Sequence, residues 1–299
     1  EGRDVESIYE VPLLLHQQNM GHLINERLEL NKKPNLSKLK NFVHNYKNPK
    51  SEVIIAMCGK YTELIDSYKS VLESFVHAGV ENSARVNIKW VKTDKIIDDT
   101  SAQREFNNVD GVLILPGFGS RGSEGKILSS KYARENNIPF LGICLGMQCA
   151  IIDFARHVCG LSGANSTEFN KRTKYPVVDL MESQKAIKIK GGTMRLGAYN
   201  CSIKTGTKTF AAYRSKKISE RHRHRYEVNN RYKKRLEKAG MVISGVNDDL
   251  GVVETIEISD HPWFVAGQFH PELKSRVNKA HPLFRDFIKA SKKYNKKRS

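Results

Sequence analysis

Residues 138–150, IPFLGICLGMQCA, hold the arrangement in this chain most able to do chemistry. Cys144 stands between Gly142 and Gly146. Before it, Ile138, Phe140, Leu141 and Ile143 read as a strand; after it, Gln148, Ile151, Ile152 and Phe154 read as a helix. A glycine two positions away on each side lets a strand turn abruptly into a helix while the central residue takes a strained backbone conformation. This is the logic of the G-x-S-x-G elbow with sulfur in place of oxygen. Such a bend lifts the thiol to the carboxyl end of a sheet and sets it at a helix N-terminus, where free N–H groups and the dipole favour a thiolate. A free cysteine in an apolar run is ordinarily a small core residue. The two glycines make Cys144 the candidate nucleophile.

A nucleophile of this kind needs a base. The strand pattern from Phe264 to Gln268 runs into Phe269-His270-Pro271-Glu272. A histidine just past a strand end, with a carboxylate two residues on, can act as a general base whose ring the acid holds in one tautomer. His261-Pro262 and His281-Pro282 lie in similar turns without that carboxylate, so His270 is the candidate. With Cys144 it makes a Cys-His-Glu triad in the order nucleophile, base, acid.

Two other motifs compete for attention. Gly117-Phe118-Gly119-Ser120-Arg121-Gly122 matches G-x-G-x-x-G between a strand and a helix. A dinucleotide site would also want an acidic residue at the end of the next strand, which here ends in Cys144. A phosphate loop is excluded because Ile127 follows Gly125-Lys126 and Ser120 stands where its first glycine should be. The better use of Gly117–Gly119 is a close backbone approach that brings N–H donors to an anion developing beside Cys144. Residues 220–229, ERHRHRYEVN, put Arg221, Arg223 and Arg225 on one side of an extended segment and His222, His224 and Tyr226 on the other. Two histidines at i, i+2 could bind metal, but a zinc site needs at least three protein ligands, so a hydrogen-bonded structural role is preferred and no metal is expected.

These residues need a scaffold. The segments at 53–57, 85–91, 111–115 and 138–143 read as strands, with helices at 66–78 and 127–135 between them. Further strands are expected at 241–244, 252–258 and 264–268, a polar loop at 163–169, a glycine-broken strand at 188–196, an exposed loop or lid at 200–219 and a basic helix at 231–238. Alternation of strands and helices predicts an α/β fold with a mostly parallel sheet flanked by helices, flavodoxin- or Rossmann-like, whose sites lie beyond the carboxyl ends of the strands.

The 299 residues carry 50 basic against 32 acidic side chains, a net charge of +18. That invites nucleic acid, yet no zinc-finger spacing or aromatic-basic pattern accompanies it, so nucleic-acid binding is not expected. No apolar run approaches a membrane span and the opening EGRDVES is too charged for a signal peptide. Five cysteines without a C-x-x-C pair suit a reducing compartment, read as the cytoplasm. Residues 1–50, with Pro12, Pro34 and Pro49 as punctuation, read as the tail of an upstream domain plus a polar basic linker, and 291–299 as a solvated basic tail.

LGICLGMQ with a later HPE resembles the class I glutamine amidotransferases. GANSTEF, GGTMRLG, RHRHRYEVN and the leading SIYEVPLLL make the resemblance specific to the CTP synthase family, over residues 5 to 290. It implies that 1–50 is the C-terminal remnant of an amidoligase domain plus linker and 51–290 a glutamine amidotransferase domain. It implies Cys144 as nucleophile with His270 and Glu272, and L-glutamine held by Gly117, Phe118, Leu145, Gly146, Met147, Gln148, Glu168 and Arg225. Glu168 suits the α-ammonium of the substrate, and Arg225 its α-carboxylate or the pocket wall. It further implies no cofactor in this fragment. A full-length homotetramer would use ATP, UTP and Mg2+ to make CTP with ammonia from glutamine, under activation by GTP, with Arg195 and the loop after it as the activator contact. The family usually writes P-G-G-F-G before the elbow; LPGFG has Pro116 where a glycine is expected, but retains Gly117 for the oxyanion amide. The rival reading is a regulatory or filament-forming basic module with vestigial glutaminase activity.

Overall fold

The computed structural model describes residues 3–60, 62–180 and 194–298. A 3-10 turn at Ile8–Glu10 leads into α1 (Val11–Gln17), α2 (Met20–Arg27) and α3 (Ser37–Lys47). The alternating region follows with β1 (Glu52–Gly59), α4 (Lys69–Glu81), β2 (Arg85–Lys92), α5 (Asp99–Phe106), β3 (Gly111–Ile114), α6 (Ser123–Glu135), β4 (Phe140–Ile143) and α7 (Leu145–His157). Beyond it come β5 (Ala164–Ser166), β6 (Tyr175–Leu180), β7 (Arg195–Ile203), α8 (Lys208–Tyr213), β8 (Lys217–His224), β9 (Tyr226–Val228) and α9 (Asn230–Lys238). The chain ends with β10 (Met241–Asn247), β11 (Val252–Ile258), β12 (Phe264–Gly267) and α10 (Pro282–Arg298).

Among the described residues, nine strands form one sheet in the order β2-β1-β3-β4-β12-β11-β10-β7-β8, and β5, β6 and β9 form a small second sheet. From β2 to β12 the pairings are parallel; from β12 to β8 they are antiparallel. The parallel part is apolar on both faces, as helix-covered strands must be. Along β3, Val112 and Ile114 join a cluster with Ile127, Phe140, Met147 and Phe264, while Leu113 joins Met57, Phe75, Leu141, Phe284 and Phe287 on the opposite face. Each such side chain contributes about 1.5–3 kcal/mol on burial. Together they fix the register of the central strands and so the height at which each strand delivers its last residue.

Four expectations need correction. The basic connector contains α3, whose Phe42 and Val43 are buried, with Tyr9 packed edge-on against Phe42 at 4.8 Å between ring centroids. Residues 200–219 are no open loop or lid: they finish β7, form α8 and begin β8. The terminal basic stretch is no loose tail, because α10 continues to Arg298, whose guanidinium meets the buried Asp110 carboxylate at 3.0 Å. GANSTEF, read as a loop, supplies β5. The strand expected at 188–196 lies mostly outside the described residues.

Candidate active site

The site is made by one pairing. β4 and β12 are parallel neighbours, with Phe140 opposite Phe264 and Ile143 opposite Gly267. The Cys144 N–H donates to the Gly267 carbonyl at 2.8 Å, extending the ladder by one residue before the chain breaks into α7. At that break Cys144 has φ 53° and ψ −102°, a conformation that an L-residue holds only under constraint. The constraint comes from tight packing at the flanking glycines. A Cβ on Gly146 would stand 2.5 Å from the Ile114 carbonyl oxygen, and one on Gly142 would stand 2.9 Å from the Ala266 Cβ.

Three residues beyond β12, His270 enters the same cleft. Its N–H donates to the Arg221 carbonyl of β8 at 2.7 Å, and its Nδ1 lies 2.7 Å from Glu272 Oε1. The other ring nitrogen, Nε2, is buried and, among the described residues, makes no conventional hydrogen bond. Burial opposes protonation of this ring, but the nearby Cys144 sulfur and the Glu272 carboxylate outweigh it and push His270 up to about 10. An imidazolium beside sulfur is the charge pattern of an activated cysteine. Gly117, Phe118, Cys144, His270 and Glu272 line one cleft of about 630 Å³ at the carboxyl ends of the parallel strands.

The remaining expected residues stand around that cleft rather than in its wall. Leu145, Gly146, Met147 and Gln148 form the buried first turn of α7. Glu168 accepts from the Gly119 N–H at 2.7 Å, tying β5 and its turn to the glycine loop; burial raises its pKa, against the pull of that N–H and of Lys60 and Lys126. Arg225 is half-buried between β8 and β9, and Arg223 is the arginine that lines the cleft, its guanidinium 5.9 Å from the centre of the exposed Phe118 ring. The alternation of ERHRHRY put both arginines on one face, so the pattern could not choose between them. Pro116 lines the cleft beside Gly117, where an added Cβ would meet nothing nearer than 3.6 Å.

Sequence reasoning passed over three neighbours of the site. Lys60, after β1, lines the cleft and donates to the Phe118 carbonyl. Lys126 is fully buried under the glycine loop, where its Nζ donates to the Leu115 carbonyl at 2.9 Å and burial lowers its pKa. Gln268, also fully buried, places its Nε2 3.6 Å from Cys144 Sγ. The signal for Gln268 was available: in an extended chain it shares a face with His270, two residues on.

Behind Arg223 lies a buried polar network. His222 Nδ1 and His224 Nε2 are 3.0 Å apart, within hydrogen-bond reach of each other. Burial, reinforced by Arg195, lowers these rings to about 2 and about 3. Arg195, expected at an activator contact, points inward: its guanidinium meets Glu254 at 2.5 Å and Glu227 at 3.5 Å. Its charge is committed to two carboxylates that burial nevertheless raises to about 7.

The comparisons with known proteins agree with this architecture. The family model Glutamine amidotransferase class-I matches residues 63–290. The chain is 54% identical over 297 residues to a CTP synthase of Chlorobium phaeobacteroides, covering 98% of this chain and 53% of that protein. It is 52% identical over 298 residues to a CTP synthase of Cytophaga hutchinsonii, covering 99% of this chain and 55% of that protein. Among solved structures, the Trypanosoma brucei CTPS glutaminase domain with bound acivicin matches with a TM-score of 0.76 and 38% identity, over 81% of this chain and 94% of that one. The chain thus spans about half the length of the curated relatives it matches. With a family match over residues 63–290 and a solved relative covered almost end to end, the chain belongs to the class I glutamine amidotransferases, and among them to the glutaminase domains of the CTP synthase family.

Proposed function

We propose that this chain hydrolyses L-glutamine through a thioester on Cys144 and that, as part of a longer CTP synthase, it supplies the ammonia that aminates UTP to CTP at the expense of ATP. The observation that carries the reading is the meeting of Cys144 with the Glu272-bonded His270 in one cleft. The thiolate attacks the side-chain amide carbon, and the charge that develops on oxygen is met by the backbone N–H groups of Gly117 and Leu145. Collapse breaks the C–N bond; His270 gives its proton to the departing nitrogen, which leaves as ammonia. His270 then takes a proton from water, the hydroxide attacks the thioester, and glutamate leaves with the sulfur free again. Glu272 keeps the ring in one orientation through both steps.

Glu168 takes the α-ammonium of glutamine, exchanging the Gly119 N–H for it, and an arginine, Arg225 beside the cleft or Arg223 in its wall, takes the α-carboxylate. Residues 1–50 belong to the amidoligase side of the longer enzyme and 51–290 to the glutaminase. ATP, UTP, Mg2+ and the activator GTP, and the tetramer, belong to that longer enzyme, with the ammonia passing between its two domains.

The test is covalent labelling with acivicin, the ligand of the trypanosomal relative. The expected result is one adduct on Cys144 that Cys144→Ala abolishes. Labelling on Cys58 or Cys149 would overturn the assignment.

A further inference from the structure

Gln268 is fully buried just past β12, two residues before His270, and it touches the reacting sulfur. Its Oε1 lies 3.3 Å from Gln148 Nε2, which also donates to the Tyr226 carbonyl at 2.9 Å. A backbone carbonyl can only accept, so the Tyr226 carbonyl decides which end of the Gln148 amide faces it. The Gln148 NH2 group in turn makes Gln268 Oε1 the acceptor and turns the Gln268 NH2 group toward Cys144. Among the described residues Gln148 Oε1 is buried without a partner, so no donor there competes for this arrangement. The sulfur also has an acceptor in reach, the Arg223 carbonyl, at 4.0 Å. That oxygen serves only a thiol, whereas the closer Gln268 donor, at 3.6 Å, serves a thiolate.

We propose that Gln268 is a catalytic residue, a side-chain donor that holds the Cys144 thiolate, and that Gln148 is the positioning residue that fixes its orientation from the Tyr226 carbonyl. Hydrogen bonds along such a chain polarise one another. The helix N-terminus and His270 supply charge stabilisation from two directions; Gln268 supplies it from a third and aims the sulfur while His270 exchanges protons. The inference rests on Cys144 being the nucleophile.

The experiment is the pH dependence of Cys144 alkylation by iodoacetamide, read on the Cys144 peptide by mass spectrometry, with the partly exposed Cys159 as internal reference. Gln268→Met is expected to react roughly tenfold slower at pH 7, the usual scale for one hydrogen bond to a charged group. The rates should converge at high pH, where the thiolate forms regardless. Gln268→Glu, which turns a carboxylate toward sulfur, should react more slowly still, and Gln148→Leu should fall between wild type and Gln268→Met. In glutamine hydrolysis, Gln268→Met should lower kcat and leave KM unchanged. Superimposable pH profiles for wild type and Gln268→Met would overturn the proposal, as would a loss of the same size at every pH, the mark of altered access. If the Gln268 variants do not fold, the side-chain amide resonances of Gln268 in 15N-labelled wild type should shift with pH at the midpoint of Cys144 alkylation; stationary resonances overturn it. A wild-type Cys144 inert to both reagents defeats the nucleophile assignment itself, whereas normal wild-type labelling with an unchanged Gln268→Met profile defeats the glutamine relay alone.

Discussion

Replacing Arg195 by Met tests the buried network beneath the cleft. Arg195 meets Glu254 at 2.5 Å and Glu227 at 3.5 Å, with all three side chains almost wholly buried. Burial raises both carboxyls from an ordinary 4.5 to about 7, even with the guanidinium pulling them down. Methionine keeps the stem volume and removes the cation, so in the variant burial acts unopposed and both groups titrate above 7. The folded variant then holds up to two protons that its unfolded chain has already released. Stability falls with rising pH wherever the native state binds more protons, by about 1.4 kcal/mol per pH unit for each. Wild type stops paying this penalty once its own carboxyls ionise near 7. Between pH 7 and 8.5 the variant therefore loses up to about 1.6 kcal/mol per carboxyl that wild type keeps, or up to roughly 3 kcal/mol in all, at the low end of the range for breaking a buried ion pair.

At pH 5.5 the carboxyls are neutral in both folded proteins, so this pH-linked difference disappears. The lowered histidines add a pH slope of the opposite sign, present only below their ordinary 6.5. Removing Arg195, one of its causes, weakens it in the variant but leaves the comparison above 7 untouched. Urea unfolding at pH 5.5, 7 and 8.5, followed through Trp90 and Trp263, provides the assay. The reasoning fails if the stability gap is the same at pH 5.5 and 8.5.

Two further outcomes follow from the site. Gly146→Ala drives a methyl against the Ile114 carbonyl oxygen at 2.5 Å and should cost at least about 1–3 kcal/mol in thermal unfolding and slow Cys144 labelling. Gly117→Ala, with nothing nearer than 3.6 Å, should unfold within about 0.5 kcal/mol of wild type. Glu272→Gln keeps the shape but removes the charge that helps push His270 up to about 10. Glutamine hydrolysis should drop by about two to four orders of magnitude, and the thiolate should need a higher pH to form; an unchanged pH profile for Cys144 alkylation would remove Glu272 from the triad.

Sequence alone marked the two candidate ends of the proposed chemistry and the core that carries them. Gly142, Cys144 and Gly146 announce an elbow because only a tight bend needs that spacing. The strands at 53–57, 111–115 and 138–143 announce themselves because strands covered on both faces are apolar at every position. His270 was legible from Glu272 beside it. What the sequence could not express was the outer edge of the antiparallel half, where β7 passes through α8 into β8. β8 turns Glu220, His222 and His224 inward, and β7 buries Arg195, so polar side chains occupy the positions where hydrophobic alternation would mark a strand. For the same reason 200–219 read as a loop. The pairing of β4 with β12 was likewise invisible, since a ladder between segments so far apart in the chain is chosen by packing on both faces, not by either strand's own letters. That pairing alone decides that Gln268, His270 and Cys144 meet.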